Sequence, residues 1–229
     1  FNRMADRIDG VLRTERELMA GMSHELRTPL ARLRLELELF RDEGAPEKRI
    51  RAIEGDIAEL EGLIGQLLQL SRLQLGEQPL EVTQVDLKAL VERARDTASL
   101  QDHPVSVEGP GGQIQGDAEL LHRVLVNLLQ NAGRYAPSGS RVVVTVRGGE
   151  VTVEDEGPGV PEDQISRLFD PFWRAEGSRA RATGGLGLGL MLVRQVVELH
   201  GGTVRAENRP NGGLRVMVSL PTAGPQRSA

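Results

Sequence analysis

The chain has no cysteine, which removes disulfides, thiolate nucleophiles and cysteine zinc sites together. Aromatic residues make up only 3% of it, so a core must be built from Leu, Val, Ile and Ala. No apolar run approaches the ~20 residues needed to cross a bilayer, and no secretory signal is visible. Lysine is nearly missing: of 28 basic residues only Lys48 and Lys88 are lysine. That bias is read as genome composition, because the usual hyperthermophile signal includes enriched lysine. The formal net charge of −5 argues against nucleic acid as the main partner. What is present, 229 residues with 39% hydrophobic and 27% charged, suffices for one large soluble domain or two modest ones. The chain opens at Phe1 in mid-pattern without an initiator Met, and is expected to be a fragment.

Before residue 76 the apolar period is helical. Leu26, Leu30, Leu33, Leu37 and Phe40 are spaced four and three apart, and Met19, Met22, Ile8, Val11 and Leu12 extend the stripe backward. One helix from Phe1 to Phe40 would be roughly 60 Å long. Gly44 and Pro46 break it, and Ile50, Ile53, Ile57, Leu60, Ile64 and Leu67 repeat the spacing. Two long helices and a short loop make an antiparallel hairpin, which cannot bury both stripes alone. A second copy would complete a four-helix bundle, so a homodimer is predicted. On the first helix, Ser23-His24-Glu25-Leu26-Arg27-Thr28-Pro29-Leu30 places an imidazole beside a carboxylate with a hydroxyl one turn further on. Pro29 removes the hydrogen bond to the Glu25 carbonyl and should bend the helix just past the imidazole.

After Gly76-Glu77-Gln78-Pro79, which reads as a linker, strands and helices interleave. Asp86 can cap a helix carrying Leu87, Leu90 and Val91, and Val105-Ser106-Val107 is a short strand. Asp117 begins a strong helix through Leu128 and Leu129. Arg141 to Arg147, Gly148-Gly149 and Val151 to Glu154 read as a β-hairpin. Another helix covers about Leu188 to Leu199. Thr203 to Glu207 and Leu214 to Leu220 close the domain around an Asn211-Gly212-Gly213 turn. This half is predicted to be an α+β sandwich with an antiparallel-rich sheet.

Three constellations in this half carry chemistry. Asn127 and Asn131 lie one helical turn apart with Arg134 and Tyr135 continuing the face. Two carboxamide oxygens suit a hard divalent cation, Arg134 suits phosphate, and Tyr135 offers an aromatic edge; paired Asn on a solvated face is an equal alternative. Asp155-Glu156-Gly157-Pro158-Gly159 follows a Val-rich strand. A partly buried carboxylate there can accept from an exocyclic amine, and Gly157 and Gly159 allow a flat ligand to approach; an ordinary turn is the alternative. Gly184-Gly185-Leu186-Gly187-Leu188-Gly189 opens a helix whose free amides can cradle phosphate. It follows no strand and lacks the dinucleotide spacing, and there is neither a P-loop nor a His-Arg-Asp catalytic loop. The stretch between Phe169 and Gly185 reads as a mobile lid.

Taken together, these residues resemble the cytoplasmic core of a bacterial sensor histidine kinase along nearly the whole chain. Ser23 to Leu30 is similar to the family's H box, Asn127 to Tyr135 to its N box, and Asp155 to Gly159 to its G1 box. Leu168-Phe169-Asp170-Pro171-Phe172-Trp173-Arg174 resembles the F box, and Gly185 to Leu190 the G2 box. Residues 1–10 look like the end of a HAMP-like relay. The resemblance implies a dimerisation and phosphotransfer domain at 11–75, a linker at 76–81, a Bergerat-fold ATP domain at 82–222 and a polar tail at 223–229. It also implies the cytoplasmic part of a membrane receptor, touching the membrane only through segments that precede this one.

The resemblance further implies roles. His24 would attack the ATP γ-phosphate through a neutral ring nitrogen, with Glu25 accepting the other ring proton. Asn131, helped by Asn127, would hold Mg²⁺. Arg134 would meet phosphate, Tyr135 would pack on the base and Asp155 would read the adenine amine. Gly157, Gly159 and Phe172 belong with the base and lid, and Gly185, Leu186, Gly187, Leu188 and Gly189 would seat the phosphates. The phosphoryl group would pass to an Asp of a response regulator. Glu25-x-x-Thr28 resembles the motif for dephosphorylating that regulator, and Ala31 and Leu35 are candidates for contacting it or for the bundle flank.

One departure is that Gly213 is followed by Leu214 where the family often has Thr, leaving a contact near the last strand open. His122 and His200 read as structural or solvated, and His103 lies in a loop. Two other classes share features: an ATPase clamp of the topoisomerase or chaperone kind, which usually has Glu where Asn127 stands, and a non-enzymatic ATP-binding dimer.

Overall fold

The computed structural model describes residues 80–100, 102–174 and 187–222, together with Leu33, Ile53 and Ile57. The chain falls into two compact units with a boundary between Ser71 and Arg72. In the first, Leu33, Ile53 and Ile57 are helical, as their spacing requires. His24, Glu25, Thr28 and Pro29 lie outside the described residues, and so does the interface expected of a dimer. Among the described residues no helix is long and apolar enough to cross a membrane.

The second unit runs β1 (Val82–Asp86), α1 (Leu87–Ala98), β2 (Val105–Gly111), β3 (Gln113–Asp117), α2 (Ala118–Tyr135), β4 (Val142–Arg147) and β5 (Glu150–Glu154). A short 3-10 helix (Glu162–Arg167), α3 (Gly189–Leu199), β6 (Thr203–Asn208) and β7 (Leu214–Ser219) follow. Five strands form one sheet in the order β2-β4-β5-β7-β6. Only β2 and β4 are parallel; β4–β5, β5–β7 and β6–β7 are antiparallel. A parallel pair needs a long crossover, here supplied by β3 and α2. The expected α+β sandwich with an antiparallel-rich sheet is therefore the fold.

The helices form where capping and period agree. Asp86 Oδ1 accepts from Lys88 N at 2.9 Å and from Ala89 N at 3.1 Å, starting α1. Asp117 Oδ1 does the same for Glu119 N and Leu120 N in α2. Leu120, Leu121, Val124, Leu125, Leu128, Leu129 and Ala132 line the buried stripe of α2. Opposite it, Val142, Val144 and Val146, Val151 and Val153, and Leu214, Val216 and Val218 alternate inward from three strands. Helices and sheet thus share one aliphatic core, which answers the scarcity of aromatics.

Three elements were not expected. β1 and β3 pair with each other as a two-stranded sheet, with Val85 opposite Ile114. Each carries few inward apolar residues, too few to give an alternation. The 3-10 helix buries none of its residues. β2 also runs past the expected Val107 to Gly111, with a register shift between Glu108 and Gly111. Gly109 sits in that irregularity at φ +93, and a Cβ there would lie 2.2 Å from the Val146 carbonyl oxygen.

Candidate functional site

Asp155 leaves the end of β5 with only 6% of its surface exposed. Its Oδ1 accepts from Gly157 N at 2.8 Å and from Leu214 N at 3.1 Å, while its own N–H donates to the Leu214 carbonyl at 3.0 Å. Burial raises the carboxyl above its ordinary value, opposed by those two amides and by the nearby Arg209. Two amides on Oδ1 fix the carboxylate plane, and Oδ2 has no hydrogen-bond partner among the described residues. One acceptor oxygen is therefore oriented and available. At the departure noted for Leu214, Asp155 is met by the backbone amide of that residue, whose side chain is buried in the core.

The surrounding loop is held by close backbone approaches. A Cβ on Gly157 would lie 2.9 Å from Asp155 Oδ1 and 3.0 Å from the Tyr135 carbonyl oxygen, so this turn abuts the end of α2. Gly159, at φ +70, meets Asn208: Asn208 Oδ1 accepts from Val160 N at 2.9 Å and its Nδ2 donates to the Val160 carbonyl at 2.6 Å. Gly213, at φ +97, leaves no room for a side chain, since a Cβ would lie 1.9 Å from the Asp155 carbonyl oxygen.

α2 and α3 supply the other side. Asn127 Nδ2 donates to the Arg123 carbonyl at 2.9 Å, so the carboxamide is oriented. Its Oδ1 would lie 2.9 Å from a Cβ on Gly189, which puts the first residue of α3 against α2. The α3 N-terminus has no side-chain cap, and Leu188 beneath it is wholly buried. Asn131, one turn on, is half-buried and has no side-chain hydrogen bond among the described residues. Arg134 is exposed and Tyr135 half-buried. Phe172, at φ +59, donates its N–H to the Gly187 carbonyl at 3.1 Å, and Gly187 has φ +68. A Cβ on Gly187 would lie 2.7 Å from the Phe172 carbonyl carbon. Of the expected site residues, then, Asp155 meets Gly157, Gly157 abuts the main chain of Tyr135, Asn127 meets Gly189, and Phe172 meets Gly187. Gly185, Leu186 and the expected lid between Phe169 and Gly185 from residue 175 onward lie outside the described residues.

Two Asn carboxamides do not make a metal site alone, and no cluster of His, Cys, Asp and Glu suited to a metal occurs among the described residues. The donors fit a hard cation that arrives with phosphate oxygens and keeps its waters, since the Asn131 carboxamide is unengaged among the described residues. The three histidines among the described residues are otherwise engaged. His200 is buried, with Nε2 accepting from Asp117 N at 2.9 Å and Nδ1 at 2.7 Å from the Val196 carbonyl oxygen. His103 Nδ1 lies 3.2 Å from the Ser140 carbonyl oxygen, and His122 Nε2 lies 3.2 Å from Thr97 Oγ1.

Sequence reasoning missed Asn208 and Arg209. Asn208 ends β6 and Arg209 follows it, before an ordinary Pro-Asn-Gly-Gly turn, where nothing in pattern or spacing sets them apart. Arg209 Nη1 donates to the Asp155 carbonyl oxygen at 2.5 Å.

Residues 14–76 match the His Kinase A (phospho-acceptor) domain, and residues 116–224 match the histidine kinase-, DNA gyrase B- and HSP90-like ATPase domain. The chain is 38% identical over 227 residues to the sensor protein RstB of Escherichia coli K12, covering 96% of this chain and 52% of that one. It is 37% identical to the signal transduction histidine-protein kinase/phosphatase MprB of Mycobacterium leprae, covering 96% and 46%. Among solved structures, that of full-length ShkA in complex with AMPPNP is similar, with a TM-score of 0.64 and 26% identity over 91% of this chain and 46% of that one. The chain spans about half the length of the curated relatives it matches.

Proposed function

Because this chain belongs to the sensor histidine kinase family, we propose that it phosphorylates its own His24 from Mg-ATP and passes the group to an Asp of a response regulator. The observation that carries this reading is the order of the two matched domains. A phospho-acceptor domain containing His24 precedes an ATPase domain containing Asn127, Asn131, Asp155 and Gly189. ATP binding itself is supported by the ATPase match and by the AMPPNP held by ShkA.

In this reading Asp155 Oδ2 accepts from the adenine amine, Tyr135 packs on the base, and Gly157 and Gly159 give the ring room. The uncapped N-terminus of α3 at Gly189, with Gly185, Leu186, Gly187 and Leu188 before it, seats the phosphates. Arg134 offsets their charge, and Phe172 holds the base of the segment that leads to Gly187. Mg²⁺, when bound, would neutralise phosphate charge, and Asn131 with Asn127 would hold it. A neutral ring nitrogen of His24 forms a bond to the γ-phosphorus, the β–γ P–O bond breaks, and ADP leaves. Glu25 takes the proton from the other ring nitrogen. This chemistry asks for positioning and charge stabilisation rather than for many catalytic groups.

The same chain also removes phosphate from the regulator, with Thr28 holding the attacking water; the kinase/phosphatase name of MprB supports this half. The helical hairpin of residues 11–75 forms the homodimer, residues 76–81 link it to the ATP domain at 82–222, and the receptor places both in the cytoplasm. The test is incubation with γ-labelled ATP and Mg²⁺: acid-labile, alkali-stable label is expected, and none in His24→Ala. Label persisting in His24→Ala would overturn the reading.

A further inference from the structure

We propose that Arg209 is a positioning residue for base recognition, holding Asp155 so that the site takes adenine in preference to a 6-oxopurine. The inference rests on the assignment of Asp155 to the adenine amine. Arg209 closes its own turn, donating its N–H to the Gly213 carbonyl at 2.9 Å and accepting from Gly212 N at 3.1 Å. Its guanidinium then reaches back, with Nη1 on the Asp155 carbonyl oxygen at 2.5 Å and Nε 3.5 Å from Glu154 Oε1. Glu154 is already engaged by Arg215, whose Nη2 lies 2.7 Å from the same oxygen and whose Nη1 lies 2.7 Å from Glu207. Arg209 is thus the cation beside Asp155, half-buried and less screened than a surface charge.

The other groups facing Asp155 do not replace it. From β7 comes the Leu214 amide and from the following turn the Gly157 amide, both on Oδ1. From α2 comes the Tyr135 main chain behind Gly157. On its own segment, Glu154 is paired as above, and Glu156 Oε2 accepts from Arg141 N at 3.1 Å. Burial pushes the Asp155 carboxyl up; the Gly157 and Leu214 amides and then Arg209 pull it down, and Arg209 is the part of that pull a side-chain substitution removes, so without the guanidinium the carboxyl protonates at higher pH. A protonated Oδ2 donates rather than accepts. It then mismatches the adenine amine and suits the keto oxygen of a 6-oxopurine.

The experiment is calorimetric titration of the whole 229-residue chain with ADP and with IDP between about pH 5 and pH 8.5, a span set to bracket a raised carboxyl. The two ligands share their phosphates, so the ratio of their affinities cancels phosphate titration and reports the base alone. Wild type is expected to prefer ADP, with the preference falling as pH falls. In Arg209→Met the fall should occur at higher pH, and Arg209→Lys should restore the wild-type profile. If Arg209→Met does not fold, Arg209→Gln, which can still donate to the Asp155 carbonyl without charge, carries the same expectation. An equal loss of ADP and IDP affinity at every pH would mean scaffolding only and would overturn the inference, as would an unchanged ratio. A wild type that binds neither nucleotide would overturn the nucleotide site itself and the inference with it.

Discussion

The Nε2 of His200 accepts the backbone N–H of Asp117 at 2.9 Å, tying the end of α3 to the cap of α2. His200 is 1% exposed, and its Nδ1 is satisfied by the Val196 carbonyl, so the network assigns a neutral ring with its proton on Nδ1. Asp117 is itself a junction: Oδ1 caps α2 and Oδ2 accepts from Glu81 N at 3.1 Å. These are the two helices that bear Asn127, Asn131 and Gly189. His200→Ala should therefore destabilise the domain by about 2–4 kcal/mol, through a cavity and an unpaired buried N–H. Denaturant unfolding followed by circular dichroism measures it, and a loss below ~0.5 kcal/mol would contradict this role.

Asp155→Asn should cost at least about tenfold in ADP affinity, the scale of a hydrogen bond to a charged group. The two amides on Oδ1 would keep the carboxamide oxygen there and turn its NH₂ toward the adenine amine, donor against donor. Titration calorimetry at neutral pH decides it.

The same variant should alter how stability depends on pH. Asp155 is raised in the folded state, so the unfolded chain ionises first as pH rises. Wild type therefore loses stability relative to Asp155→Asn as pH climbs from the ordinary carboxylate value to the raised one, and the difference is constant above it. Thermal melts of both proteins across that range check the sign.

Gly212 and Gly213 adjoin but should differ sharply. Both have positive φ, at +89 and +97, yet a Cβ on Gly212 meets nothing within 4 Å while one on Gly213 would strike the Asp155 carbonyl oxygen. Gly212→Ala should cost about 1–2 kcal/mol. Gly213→Ala should cost a further ~1–3 kcal/mol and weaken ADP binding, because it displaces Asp155. Similar unfolding midpoints for the two would contradict the packing described.

Thr28→Ala should slow removal of phosphate from the response regulator while label still forms on His24. A time course with purified phospho-regulator measures this, and full-rate dephosphorylation by the variant would sink the phosphatase assignment.

Long apolar periods were legible in the sequence. The stripe from Leu120 to Ala132 and the paired Val runs on either side of Gly148-Gly149 specified α2 and the β4–β5 hairpin, because burial on one face leaves a period behind. β1 and β3 left none, since their stability comes from pairing and from the Val85 and Ile114 side chains rather than from a stripe. The place of Asp155 at a strand end was legible from the Val-rich run before it and the Gly157-Pro158-Gly159 turn after it. Arg209 was not: it acts on Asp155 from 54 residues away, through a turn whose sequence suits any hairpin. The Leu214 contact was hidden for a different reason, being made by the backbone, which no side-chain pattern reports.

The central claim is that the imidazole of His24 receives the γ-phosphate of ATP held at Asp155 and Asn131. Incubation of wild type, His24→Ala and Asp155→Asn with γ-labelled ATP and Mg²⁺ tests it most directly. Acid-labile, alkali-stable label on wild type, none on His24→Ala and little on Asp155→Asn is the predicted result. Label of the same stability on His24→Ala would contradict it.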